Sequence, residues 1–119
     1  MFSLIAAVAL QSQSPVYLEC ALYDGNGGEA RYSITVNEAD SSATIVNQKN
    51  GASSEKLSAA FAPTSVTFRL GPTGGIWTDY VIDRSSLLIN SSTRASSKRI
   101  PAIVQSGVCK IAAPVARKF

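Results

Sequence analysis

The sequence predicts an all-β domain, a small antiparallel barrel or sandwich of seven to eight short strands. Three observations predict it. Apolar residues recur with period two along most of the chain, the spacing of strands with one buried face. Clusters of Gly, Pro, Asn, Asp and Ser punctuate these runs at the short, even intervals of hairpin-connected strands. Outside the first ten residues, no stretch of helical length keeps a 3.6-residue spacing.

The elements follow in order. Val16, Leu18, Cys20 and Leu22 alternate with Tyr17, Glu19, Ala21 and Tyr23, giving a first strand. Asp24-Gly25-Asn26-Gly27-Gly28-Glu29 is a turn, because glycine reaches positive φ without steric cost. Tyr32, Ile34 and Val36 then oppose Arg31, Ser33, Thr35 and Asn37. Glu38 to Ser41 turns the chain into Ser42–Asn47, with Ala43 and Ile45 on one face, and completes a hairpin. Residues 48–56 are a polar loop. Leu57, Ala59 and Phe61 form a strand that Pro63 breaks. Val66, Phe68 and Leu70 face one way, and Ser65, Thr67 and Arg69 the other.

Residues 71–75, Gly-Pro-Thr-Gly-Gly, read as a loop. Trp77 to Asp83 is a strand with Tyr80 and Ile82 inward, and residues 83–86 turn it into a short return over Leu87 to Asn90. Residues 91–101 are Ser/Thr-rich and basic and read as a mobile loop. A last strand covers Ser106 to Ala112, with Cys109 and Ile111 on one face, and Pro114 ends it. The chain thus divides into a signal-like segment and linker over 1–15, one β domain over 16–113, and a basic tail over 114–119. There is no internal repeat.

The compartment is read from two features. Phe2 to Leu10 is a short uncharged apolar run, too short to span a bilayer as a helix. Its length and the Ala7-Val8-Ala9 cleavage pattern suit a secretory signal peptide, although a positively charged start is missing. The competing reading is an N-terminal strand or helix packed on the core. Cys20 lies in the first strand and Cys109 in the last. A bond between them would set those strands side by side and close a meander into a barrel without exposed edges. On the chain-entropy view such a long loop is worth roughly 4–5 kcal/mol. The competing reading is two buried free thiols. Export and position together favour the disulfide and a periplasmic or secreted location.

Composition narrows the chemistry. The absence of histidine removes Ser-His-Asp and Cys-His catalysis and His-ligated zinc. Seventeen serines offer no marked nucleophile, because none sits in a GxSxG elbow beside a base. The Asp24–Glu29 turn is too short for an EF-hand loop, and the glycines at 71, 74 and 75 precede a strand, not the helix a phosphate cradle needs. No catalytic residue, metal or cofactor is expected.

What remains is a contact surface. Trp77, Asp79, Arg94, Lys98 and Arg99 are its candidate residues. Trp77 shares the outer face with Asp79 and Val81, unless a bulge at Gly75-Ile76 turns it into the core, which the weight of aromatic burial in small cores favours. A net charge of +3 is modest for a nucleic-acid binder, which sets that partner aside. An anionic envelope surface or an acidic protein suits it better.

Four segments in order carry a resemblance: V-Y-L-E-C (Val16 to Cys20), I-T-V-N-E (Ile34 to Glu38), Y-V-I-D-R-S-S-L (Tyr80 to Leu87) and G-V-C-K (Gly107 to Lys110). Their order resembles uncharacterised exported proteobacterial envelope proteins in which a two-cysteine β-domain follows a signal peptide. That resemblance implies no catalytic residues, since no activity is assigned to the group. The two-cysteine barrel plan is also similar to periplasmic lysozyme inhibitors, but their inhibitory loop motifs are not present. The sequence therefore points to a non-catalytic exported binding or inhibitor module with a protein or envelope partner. A structural or assembly subunit, such as a surface or phage component, is the alternative.

Overall fold

A computed structural model describes residues 15–97 and 99–112. Eight antiparallel strands, each paired with its sequence neighbour, form one closed barrel: β1 (Val16–Tyr23), β2 (Glu29–Asn37), β3 (Ser42–Asn47), β4 (Leu57–Phe61), β5 (Ser65–Thr73), β6 (Ile76–Asp83), β7 (Leu88–Ala95) and β8 (Ile103–Ala112). Residues 1–14 of the expected signal-like segment and linker, the basic tail and Lys98 lie outside the described residues.

The period-two pattern dictates which side chains fill the barrel. Leu18, Cys20, Leu22, Ile34, Val36, Ala43, Ile45, Ala59, Val66, Phe68, Tyr80, Ile82, Ile89 and Cys109 are buried inside. An eight-stranded barrel is just wide enough for such side chains to fill it. Leu22, Ile34, Ile82 and Ile89 are the largest fully buried residues. Burying each contributes about 1.5–3 kcal/mol. Phe68 and Tyr80 stack with ring centroids 5.1 Å apart across β5 and β6.

The disulfide closes the barrel. Cys20 and Cys109 are directly opposite in the β1–β8 register, with Cα atoms 4.0 Å apart and a sequence separation of 89 residues. Gly107 permits the same closure beside it. A Cβ on Gly107 would stand 1.7 Å from the Ala21 carbonyl oxygen, so only a residue without a side chain allows β8 this close to β1.

Strand directions alternate, so the connections sort to two ends. The basal end holds the 38–41, 62–64 and 84–87 turns, the start of β1 and the end of β8. The apical end holds the 24–28 turn, the 48–56 loop, the Gly74-Gly75 tip and the 96–102 connection. Gly74 and Gly75 have φ of +60° and +76°, the positive values a two-residue hairpin turn demands.

Four details differ from the sequence reading. Residues 91–95 are strand, not loop: β7 runs to Ala95, pairing on one side with β6 and on the other with β8, and Ser91 is buried. β8 begins at Ile103, earlier than expected, to meet it. β5 also extends past Leu70 through a cis Gly71-Pro72 bond to Thr73, so only the glycine pair forms the tip. Leu70 and Ile111 have the inward phase but are 36% and 68% exposed, because they lie at the barrel ends where no opposite wall covers them.

At the apical end β5 to β8 outreach β1. The last β1 residue, Tyr23, pairs with Ser106, whereas β8 starts three positions further out. Leu70, Thr78, Thr93 and Ile103 thereby form one row across the four projecting strands, and the Thr78 and Thr93 hydroxyls hydrogen-bond at 2.9 Å.

Candidate functional site

Three of the sequence candidates, Trp77, Asp79 and Arg94, meet on the outer wall of β6 and β7. Trp77 is opposite Arg94, and Asp79 is opposite Ser92 on one side and Arg69 on the other. Odd-numbered β6 residues point outward there, so Trp77 is on the solvent side and half-buried. The expected bulge into the core is absent: the irregularity lies in β5 between Leu70 and Thr73, and β6 keeps its phase.

Arg69 organises the cluster. Its Nε donates to Asp79 Oδ1 at 2.6 Å and its Nη2 to Asp79 Oδ2 at 3.2 Å, a two-pronged pair. The same guanidinium lies 5.5 Å from the Trp77 ring centroid, within cation–π range. Asp79 holds Arg69 more firmly protonated than an isolated arginine. Arg94 Nε donates to Ser92 Oγ at 3.3 Å and leaves the rest of its guanidinium in solvent. Arg99 is exposed on the adjoining apical connection.

The sequence reading missed Arg69, and the reason is local. Counting back from the Gly74-Gly75 turn with Thr73 opposite Ile76 places Arg69 opposite Tyr80. The irregularity between Leu70 and Thr73 shifts that register by one and puts Arg69 opposite Asp79. The Gly-Pro pair at 71–72 was the available signal, since such residues mark interruptions in strands.

Other candidate groups have local duties. Asp24 Oδ1 accepts from the backbone of Asn26 at 2.8 Å and Gly28 at 3.0 Å, which shapes its own turn. Asp83 Oδ1 accepts from the Ser85 and Ser86 backbone N–H groups at 2.9 and 2.8 Å and from Ser85 Oγ at 2.9 Å. These bonds pull the Asp83 carboxyl down to about 2. Tyr80 is pushed the other way, to about 12, first by burial and then by neighbouring Tyr32, and stays a neutral phenol.

Two concavities flank the core. A basal cleft of about 220 Å³ is lined by Leu18, Val36, Phe61, Ile82 and Leu87, with Arg84 and Glu38 paired at 3.0 Å on its rim. An apical slot of about 370 Å³ lies beside Tyr32, Ile45, Leu70, Thr78 and Tyr80. Neither brings a nucleophile and a base together. Among the described residues no three carboxylates or thiols gather as a metal site, and no helix is long and apolar enough to cross a membrane. The outer cluster presents an indole, a paired guanidinium and a solvated one, groups suited to recognition.

No protein-family model, curated protein or solved structure matches this chain.

Proposed function

We propose that the chain is a non-catalytic exported binding module that meets its partner through the Trp77 wall. The observation that carries this reading is Trp77, half-buried on the outer face between Arg69 and Arg94 although the barrel interior is already filled. Aromatic and arginine side chains on a rigid scaffold are the usual anchors of contact surfaces. The buried disulfide between the first and last strands supports an oxidising compartment.

The test has two arms. Expressed with its native N-terminus, the protein should fractionate outside the cytoplasm with both thiols masked until reduced, by intact mass after alkylation. Cytoplasmic protein with two free thiols would overturn export. A photo-cross-linking residue at position 77 should form an adduct, with protein or lipid, that the same residue at position 35 on β2 does not. Equal adducts at both positions, or none, would overturn the contact wall.

One observation favours the alternative, an assembly subunit. Leu88 and Val108 are cross-strand partners on the outer wall and are 53% and 50% exposed. A self-association surface there predicts sedimentation of large species that Val108→Asp returns to monomer.

A further inference from the structure

Charge is distributed unevenly over the barrel. The described residues hold eight arginines and lysines. Five of them are matched to a carboxylate: Arg31 with Glu29, Lys56 with Asp40, Arg69 with Asp79, Arg84 with Glu38 and Lys110 with Glu19. The other three, Lys49, Arg94 and Arg99, make no such pair among the described residues. All three are at the apical end, on the 48–56 loop, at the end of β7 and on the connection that follows. Among the described residues Asp24 and Glu55, on the turn after β1 and on the 48–56 loop, also lack an ion-pair partner and offset part of this charge, but the β7–β8 hairpin holds Arg94 and Arg99 and no carboxylate of its own.

The same end carries aliphatic side chains with nothing packed over them. Ile76, Ile100, Ile103 and Val104 are 51%, 55%, 57% and 61% exposed. Ile76 and Ile103 have the inward phase in the part of β6 to β8 that outreaches β1, so no barrel interior covers them, while Val104 faces outward on β8 and Ile100 sits on the connection between β7 and β8. Trp77 lies one position inward of Ile76, beside Arg94. An indole, branched aliphatics and unpaired guanidiniums on one rim match a surface that is anionic outside and apolar just beneath. An acidic protein would satisfy the cations but leave the isoleucines unexplained, and a neutral apolar partner would do the reverse.

We infer that the apical rim of the β7–β8 hairpin docks onto an anionic phospholipid bilayer, with Arg94 and Arg99 on headgroups and Ile100 and Ile103 at the acyl boundary. This inference rests on the Trp77 wall being the contact face and names its partner.

The experiment is sedimentation of the purified, oxidised protein with vesicles of phosphatidylcholine alone or of phosphatidylcholine with phosphatidylglycerol. Binding should appear only with phosphatidylglycerol and fall steeply with salt. Arg94→Ser and Arg99→Ser should each weaken it about fivefold. The Ile100→Ser/Ile103→Ser pair should weaken it at every salt concentration. Lys110→Ser, which removes a paired cation from the wall, should bind as the parent does. All these positions are exposed, and circular dichroism checks that each variant folds. Equal binding to both vesicles, no binding to either, or an equal loss in Lys110→Ser overturns the inference. No vesicle binding together with a protein adduct at position 77 overturns the bilayer alone and leaves the contact wall standing. No vesicle binding and no adduct overturns both.

Discussion

Two seams of the barrel are built very differently. β1 and β8 stay in register over seven residue pairs, from Tyr17–Ala112 to Tyr23–Ser106, and are bonded through Cys20 and Cys109. β3 and β4 share only two pairs, Ser42–Ser58 and Ala43–Leu57. Above them the 48–56 loop substitutes for a strand. Ser54 N donates to the Ile45 carbonyl, Ser54 Oγ accepts from Ile45 N, and Asn47 N donates to the Ala52 carbonyl, each at 2.9 Å. The seam joining the most distant parts of the chain is the strong one, and a seam between sequence neighbours is the patched one. Closing a long loop carries the larger entropy loss, and the covalent bond is placed where that loss is greatest.

Each seam can be weakened separately. The largest effect is expected from the Cys20→Ala/Cys109→Ala double variant, which should lose about 2–5 kcal/mol in urea unfolding. Its hydrogen exchange at β1 and β8 should rise toward that of β3. Unchanged protection there would show that strand pairing alone holds this seam. Gly107→Ala should cost about 1–3 kcal/mol with the disulfide intact, since its Cβ meets the Ala21 carbonyl. A neutral result would mean that β8 shifts freely.

Ser54→Ala should cost about 1 kcal/mol, because it deprives the half-buried Ile45 amide of its acceptor. Exchange should quicken at Ile45 and Asn47 and remain unchanged at Cys20. Spread of the change to β1 would mean that the two seams open as one unit.

The smallest effect belongs to the turn between β6 and β7, whose Leu87 carbonyl accepts from Cys109 N at 2.8 Å. Asp83 has a folded pKa depressed to about 2, so its stabilisation is complete above the unfolded carboxylate range and is lost as pH falls from about 4 toward 2. Asp83→Asn should flatten the acid limb of thermal stability in that window and leave neutral-pH exchange at β3 and β4 unchanged. An acid limb identical to the parent's would assign acid lability elsewhere, with Asp40, also held low by Lys56 and Ser42, the next carboxylate to replace.

The strong seam was legible in the sequence, because Cys20 and Cys109 both fell on inward phases of the terminal strands. The alternation of Val66, Phe68, Tyr80 and Ile82 likewise marks the core in the sequence. The Ser91–Ala95 strand was not legible. Its inward positions are Ser91, Thr93 and Ala95, small or polar where the barrel wall projects past its packed interior, so period two left no hydrophobic trace. Trp77, Asp79 and Arg94 were named as contact candidates, although aromatic burial favoured a core position for Trp77, and their organiser Arg69 was hidden by the one-residue shift beyond Leu70. The apical charge imbalance was invisible too. It depends on which cations find carboxylates in space, and only two of the five pairs, Arg31 with Glu29 and Arg69 with Asp79, lie within ten residues of each other in sequence.

The register of Cys20 with Cys109 also has a mechanical consequence. β1 begins and β8 ends side by side at the base, so tension applied across Tyr17 and Ala112 peels their pairs one after another. Three rows separate, Tyr17–Ala112, Leu18–Ile111 and Glu19–Lys110, and the next row is the disulfide. From there the load passes through the sulfur bridge, and the chain between the two cysteines is out of the line of force. The oxidised protein should behave as a short tether with a hard stop, and the reduced protein as one that unravels along its whole length.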